Sequence, residues 1–257
     1  ITEKLFVLDR AIDLGSGPAT LFGSDGQFGA FIKDNVTLSG GELSFYSDGV
    51  SKNIHALDVG GGPTTFRGHR TVAANGEFAR VVPDGHLTLG LASGIYVTKI
   101  QQPSIGDVNI LELSRCNVTP RLGDLSLTGG EIRADDGVVF GYTDTSPDDG
   151  SLRGTVAGLV SSTASYTMTA TGDLTMGAFL TEDAVNLSGA LDVGDHRVHL
   201  LSLDQARLGG VTTLGGGQLV IETFSETAAD GLQLGDGATI TGNGLIFANI
   251  LPHNGSI

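Results

Sequence analysis

Three segments of the chain repeat one pattern, in which two short β-like runs flank a pair of glycines. The segments are NVTLSGGELSF at residues 35–45, DLSLTGGEI at 124–132 and VTTLGGGQLVI at 211–221. Glycine accepts positive φ angles and lets neighbouring backbones come close, so a glycine pair between two strands permits a sharp bend or bulge. If successive coils of a fold turn a corner at the same place, glycine should recur there. The pattern therefore favours a β-solenoid.

Shorter spacings near the C-terminal end set the size of the predicted coil. Three strand-like segments carry a glycine at a matching point: VNLSGALDV (Gly189), TTLGGGQLV (Gly216) and ATITGNGLI (Gly242). These glycines are 27 and 26 residues apart, and one turn of a β-solenoid takes roughly 20–30 residues. We therefore expect the three glycines to occupy equivalent corners, with the most regular coils within residues 173–250.

Strand-like alternation of apolar and polar residues recurs along the chain. In NVTLSG, for example, Val36 and Leu38 would share one face of a strand. Helical periodicity is confined to LSLDQARLGG at 201–210, which reads as about two turns with a glycine stop, and to TEDAVNL at 181–187. We predict an all-β fold, a right-handed parallel β-helix, formed by residues 1–257 as a single elongated domain.

One local signal points to a different architecture. Asp followed by Gly occurs seven times, and this dipeptide is a strong turn and hairpin signal. Hairpins build antiparallel sheets, whereas a solenoid stacks parallel strands. An antiparallel β-sandwich or jelly roll therefore stays open as the alternative fold.

The C-terminal segment GLQLGDGATITGNGLIFANILPHNGSI at 231–257 resembles the repeating part of autotransporter and filamentous-haemagglutinin-type passenger domains. The segments at 35–45, 124–132 and 185–220 are similar to it, so the resemblance covers about half of the chain. In those passenger domains such strings mark successive rungs of a right-handed parallel β-helix. The resemblance implies an adhesin-like, glycine-rich protein of the cell surface.

Charge and composition bear on the partners of the protein. Fourteen Lys and Arg oppose 29 Asp and Glu, a formal net charge of −15. Such a surface repels a phosphate backbone, so we expect no nucleic-acid partner. No apolar run reaches the roughly 18–20 residues of a membrane span, so we expect none. The chain opens ITEKLFVLDRAIDLG without an initiator Met, and we expect a processed protein or a piece of a longer one.

Calcium is the one cofactor for which the sequence offers candidate ligands. Carboxylates are abundant in the predicted turns, and hard oxygen ligands suit Ca²⁺. The weak candidates for a surface ion are two acidic doublets: Asp135, Asp136, Asp148 and Asp149. Adjacent residues of a strand point to opposite faces, so neither doublet alone makes the facing pair of carboxylates that glycoside cleavage needs. No other cofactor is expected.

A second candidate group lies in the segment LDVGDHRVHLL. It contains Asp192, Asp195, His196 and His199, which are residue types suited to a small metal site or an acid–base couple. On a strand His196 and His199 would fall on opposite faces, whereas in a helical turn they would be close enough to chelate. An exposed rim is the interpretation that the strand pattern favours. The single cysteine, Cys116, reads as a small buried hydrophobe.

These observations lead to one functional expectation and two alternatives. We expect a non-enzymatic extracellular structural or adhesive β-solenoid that self-associates or contacts polysaccharide or other cell-surface material, because open strand edges recruit other chains. A phage or viral surface or fibre protein is one alternative. A carbohydrate-active β-helix enzyme, a polysaccharide lyase or hydrolase, is the other.

Overall fold

A computed structural model of the protein shows short strands that stack in successive coils. The backbone of 27 strands is described. Side chains are described for residues 105–107, 109–113, 122–123, 125–134, 137–141, 149–177, 184–224 and 231–248. Within these residues the secondary structure is strand, turn and bend, with no helix.

The strands follow one another along the chain, most of them short and five of them long enough to pass through a corner of the coil. In chain order they are β1 (Lys4–Leu8), β2 (Ile12–Asp13), β3 (Pro18–Gly23), β4 (Phe28–Ile32), β5 (Thr37–Ser39), β6 (Glu42–Ser47), β7 (Leu57–Val59), β8 (Thr65–Arg67), β9 (Arg70–Ala73), β10 (Glu77–Phe78), β11 (Val82–Asp84), β12 (His86–Gly90), β13 (Lys99–Ile100), β14 (Ser104–Ile105), β15 (Ile110–Ser114), β16 (Arg121–Leu122), β17 (Leu125–Phe140), β18 (Asp149–Ser162), β19 (Thr167–Gly177), β20 (Val185–Leu187), β21 (Ala190–Gly194), β22 (Arg197–Ser202), β23 (Gln205–Leu208), β24 (Val211–Thr223), β25 (Gly231–Leu234), β26 (Thr239–Phe247) and β27 (Ile250–Leu251).

Every pairing between described strands is parallel. Each strand pairs with the segment one coil later, which is the arrangement of a parallel β-solenoid. The predicted parallel β-helix is therefore confirmed, and the antiparallel sandwich or jelly roll is wrong. The Asp-Gly dipeptides favoured hairpins in the sequence, but a glycine turn can form a corner of a solenoid as well as a hairpin. Asp149 and Gly150, for instance, both lie inside β18.

Each coil contributes three strand segments, so the solenoid has three faces. Face A comprises β2, β5, β8, β11, β14, β21 and the first segments of β17, β18, β19, β24 and β26. Face B comprises β3, β6, β9, β12, β15, β22 and the following segments of β17, β18, β19, β24 and β26. Face C comprises β1, β4, β7, β10, β13, β16, β20, β23, β25, β27 and the last segments of β17 and β18. Five complete coils lie between Leu125 and Leu234.

Aliphatic side chains fill the interior because the strand alternation turns every second residue inward. On face B the inward row runs through Ile132, Val156, Met176 and Leu200, each fully buried. On face C, Val138, Val160 and Val185 form a similar row. Full burial of one such side chain contributes about 1.5–3 kcal/mol. Coil-on-coil stacking thus turns a thin aliphatic interior into a continuous core.

The length of a coil varies while the strand register is kept. Asp149 pairs with Thr167, a step of 18 residues, whereas Val211 pairs with Thr239, a step of 28. The extra residues lie outside the paired segments, which are at most six residues long. Fixed spacing in the sequence therefore does not identify equivalent positions.

This variation explains why one of the predicted glycine alignments is wrong. Gly216 and Gly242 both lie at the corner between faces A and B, although Gly242 pairs with Leu214 and not with Gly216. Gly189, however, precedes β21 at the corner between faces C and A, because Leu191 pairs with Thr212 at a step of 21 residues. The corner between faces A and B is nevertheless glycine-rich in successive coils, with Gly106, Gly129, Gly130, Gly154, Gly172 and Gly194 also on it. Gly40 and Gly41 lie outside the described residues.

The helix predicted at residues 201–210 is also wrong. The segment forms the end of β22, a turn and β23, in which Ala206 and Leu208 are buried and Arg207 is exposed. The fully buried Ser202 serves this turn, since its Oγ donates to the Gln205 carbonyl at 2.6 Å and accepts from the Val185 N–H at 3.3 Å. The second candidate helix ends in β20, and its first three residues lie outside the described part.

Candidate functional surfaces

A row of short polar side chains runs along the outside of face A. The paired positions are Ser126, Ser151, Thr169, Asp192, Thr213 and Thr241. Each follows or precedes an inward Leu, Met or Ile, so strand alternation turns its side chain outward. Neighbouring strands lie ~4.7–4.9 Å apart, which sets the spacing of the hydroxyl groups. We call this set the hydroxyl row.

A second row of outward-facing residues runs beside the hydroxyl row, two positions earlier in each strand. It consists of Asp149, Thr167, Ala190, Val211 and Thr239. The only carboxylate of the hydroxyl row, that of Asp192, accepts a hydrogen bond from the Gly194 N–H at 3.1 Å. It is therefore engaged with its own backbone at the corner. From Thr167 onward the second row presents only hydroxyl and methyl groups.

The corner between faces A and B carries an ion pair and hydrogen bonds of charged side chains that link different coils. Arg153 Nη2 lies 3.2 Å from Asp107 Oδ1, and its Nε donates to the carbonyl oxygen of Thr128. In a later coil Asp173 Oδ1 accepts from the Arg197 N–H at 3.0 Å. These groups are exposed, and exposed ion pairs stabilise a fold by only about 0–1 kcal/mol. They tie neighbouring coils together without forming a buried charged site.

Face B carries two further pairs on its outer side. Two guanidinium nitrogens of Arg133 donate hydrogen bonds to Glu131: Nε to Oε1 at 2.8 Å and Nη2 to Oε2 at 3.0 Å. The hydrogen bond to Glu131 raises the pKa of Arg133; burial opposes this rise, and the charges of Glu131 and Glu112 add to it. Arg133 is therefore a fixed cation.

The predicted histidine group does not come together as a metal site. His196 lies at the corner before β22, with its Nε2 3.2 Å from Asp195 Oδ1. His199 is on face B, where its Nε2 lies 3.1 Å from Glu222 Oε2 of the next coil. Among the described residues no group of three or more His, Cys, Asp or Glu is placed to hold a metal ion. Asp195 is exposed, as the predicted rim requires, but the side chains of His196 and His199 are half-buried.

The two acidic doublets proposed for calcium fall on different corners. Asp135 and Asp136 belong to β17 at the register shift between Ala134 and Val138, where face B gives way to face C. Asp149 is the exposed first residue of β18, at the start of face A. Asp148, and the side chains of the first doublet, lie outside the described residues. The placement of the backbone does not join the doublets into one site, and calcium stays a prediction.

The hydroxyl row is the feature that the sequence interpretation missed as a surface. The signal was present in segments such as TMTAT at 167–171 and TIT at 239–241, where every second residue carries a hydroxyl. Their register across coils could not be read from the sequence, because the steps between coils are unequal. The side chain of Cys116 lies outside the described part of the chain.

Comparison with protein-family models, with curated proteins and with solved structures finds no match to this chain. Within the described residues no helix has the length and apolar character of a membrane span. The assignment of a function therefore rests on the fold and on the surfaces described above.

Proposed function

We propose that the protein is a non-enzymatic structural or adhesive β-solenoid of the cell exterior, which uses face A to contact polysaccharide or other surface material. The observation that carries the proposal is the hydroxyl row, repeated in successive coils. Hydroxyl groups at a regular spacing can donate to and accept from a polymer that is itself rich in hydroxyls. An extended partner can then form the same contact in each coil, so that many weak contacts act together.

The acidic surface supports the same proposal. A net charge of −15 favours solubility and works against binding to polyanions. Neutral polysaccharides are thus the partner class that the surface favours. The non-enzymatic part of the proposal is supported by the backbone positions of Asp136 and Asp149 at different corners of the coil, since glycoside cleavage requires two carboxyl groups that face each other within ~5–10 Å.

The test compares two matched pairs of substitutions. Thr213→Val/Thr241→Val removes two hydroxyls from the hydroxyl row, while Thr155→Val/Thr175→Val removes two outward hydroxyls from face B. Valine keeps the shape and the strand preference of threonine, so both variants should fold. Binding of each to a panel of insoluble neutral and acidic polysaccharides is measured by depletion from solution.

We expect the face A variant to lose most of the retention on a neutral polysaccharide and the face B variant to keep it. Equal retention by both variants would contradict the use of face A. The same panel is assayed for release of reducing ends and of unsaturated products. Chain cleavage that disappears in Asp135→Asn/Asp136→Asn would replace the proposal with the enzymatic alternative.

A further inference from the structure

Face A offers an elongated partner two directions, and they differ in the number of equivalent contacts. Along the strand direction, β19 and β21 pair on this face over three residues, which present the outward side chains of Thr167 and Thr169 on β19. Along the solenoid axis, the hydroxyl row crosses six successive strands. A polymer therefore gains repeated contacts by lying along the axis, across the strands.

The second row of outward residues gives this path two chemically different sides. Ala190 and Val211 carry apolar side chains, and Thr167 and Thr239 add a methyl group to their hydroxyl. Val211 is 50% exposed. The two rows are two residues apart along each strand, about 6.4–6.8 Å at a rise of 3.2–3.4 Å per residue. A sugar ring is amphipathic in the same way, because hydroxyls project from its rim and C–H groups form its faces.

The distance between neighbouring strands selects the kind of polymer. Successive coils present an equivalent position every ~4.7–4.9 Å along the axis. A β-1,4-linked chain of glucose, mannose or N-acetylglucosamine is an extended ribbon that advances by nearly this distance for each sugar. An α-1,4-linked chain of glucose coils instead, so its sugars leave the register of the hydroxyl row after a short contact.

We infer that face A binds a neutral, extended β-1,4-linked glycan along the solenoid axis, with one sugar for each coil. This inference rests on the proposed contact with polysaccharide and specifies the class and the direction of the polymer. Four consecutive sugars then contact Thr169, Asp192, Thr213 and Thr241. Asp192 fits this row, because one carboxylate oxygen accepts from the Gly194 N–H and the other can accept from a sugar hydroxyl.

The main test compares soluble oligosaccharides of one length and different linkage. The probes are hexasaccharides of β-1,4-linked glucose, mannose and N-acetylglucosamine, and the control is the α-1,4-linked hexasaccharide of glucose. Titration calorimetry with the full chain measures their affinities. We expect a β-1,4-linked probe to bind and the α-1,4-linked control not to bind. From the disaccharide to the hexasaccharide of the binding series, affinity should rise by about two- to tenfold per sugar, the effect of one further hydrogen bond.

A matched pair of lysine substitutions tests the path of the polymer. Val211→Lys places a long side chain beside Thr213, in the way of a ribbon that lies along the axis. The control is Leu159→Lys, because Leu159 is also exposed, at 42%, but lies between faces B and C. We expect Val211→Lys to abolish binding of the hexasaccharide and Leu159→Lys to leave it unchanged. Circular dichroism verifies the β content of each variant, and Thr213→Lys replaces Val211→Lys if the latter does not fold.

The inference and the proposed function fail in different ways. Equal binding of the two linkages, an affinity that stops rising after the disaccharide, or full binding by Val211→Lys would overturn the inference. The retention of insoluble polysaccharide could still depend on Thr213 and Thr241 in each of these cases, and the proposed function would then stand. Absence of retention on every polysaccharide of the panel would remove the proposed function, and the inference with it.

Discussion

The ring of Tyr166 occupies the space over Gly150 in which any other residue would place its Cβ atom. Tyr166 is buried in the turn before β19, and its ring stacks on Phe140 with the centroids 5.6 Å apart and the planes inclined by 17°. The glycine of an Asp-Gly step thus makes room for an aromatic side chain from the next coil. The pair joins the corner between faces C and A to the core.

Gly150→Ala should therefore destabilise the protein by about 1–3 kcal/mol, the usual cost of overpacking a full site. The measurement is the midpoint of denaturant unfolding, followed by circular dichroism. Gly106→Ala is the control, since a Cβ atom there would meet nothing closer than 3.5 Å. In a Tyr166→Leu background the effect of Gly150→Ala should shrink, and an unchanged effect would mean that the tyrosine is not its cause.

The glycines of the corner between faces A and B should differ in what they tolerate. Gly216 and Gly154 both have positive φ angles, +107° and +111°, but a Cβ atom at Gly216 meets nothing within 4 Å while one at Gly154 would lie 2.7 Å from the Gly130 oxygen. Gly216→Ala should cost about 1–3 kcal/mol from backbone strain alone. Gly154→Ala should cost clearly more, as measured by thermal unfolding, and equal costs would contradict this assignment of contacts.

Removal of the buried hydroxyl of Ser202 should weaken the turn between β22 and β23. Ser202→Ala leaves the Val185 N–H and the Gln205 carbonyl without this partner, and a lost buried hydrogen bond costs about 1–3 kcal/mol. Ser151→Ala, on the exposed hydroxyl row, removes the same atom at a cost within ~0.5 kcal/mol. Urea unfolding of the two variants measures the difference. A Ser202→Ala variant as stable as Ser151→Ala would show that water replaces the hydroxyl.

A destabilising substitution in the core should affect mainly its own coil and the two neighbouring coils. Leu200 packs in the inward row of face B, between Met176 and Ile221. Leu200→Ala should cost about 2–5 kcal/mol, and because each coil contacts only its neighbours, amide protection should fall in β19, β22 and β24. Hydrogen exchange with peptide-level mass spectrometry measures this. A uniform loss that extends to β17 would indicate one cooperative unit instead.

Calcium binding at the acidic doublets is testable by titration calorimetry. If the doublets bind Ca²⁺ at exposed turns, affinities of about 10⁻⁴–10⁻³ M are expected, and Asp135→Asn/Asp136→Asn or Asp148→Asn/Asp149→Asn should remove one site each. Asp192→Asn serves as the control, because the carboxylate of Asp192 is engaged by the Gly194 N–H. Absence of heat from the unaltered protein would dismiss calcium.

The sequence predicts the class of this fold more reliably than it predicts which residues of successive coils are paired. Alternation such as that of Leu125 and Leu127 indicates strands, and recurring glycines indicate corners, because both are local properties. The equivalence of Gly189 with Gly216 could not be predicted correctly, since it depends on coil steps of 21 and 28 residues that only the pairing reveals. The false helix at 201–210 has a similar origin, because the segment contains the turn between β22 and β23, and the buried Ser202 of that turn is recognisable only by its partners.

The unequal steps between coils imply a tolerance that can be engineered. From Val211 to Thr239 the path takes ten residues more than from Asp149 to Thr167, yet both pairs stay in parallel register. The difference falls outside the paired segments, and the paired segments keep their register. A foreign epitope or affinity tag could therefore be inserted between two paired segments, and the choice of coil would set its position along the solenoid.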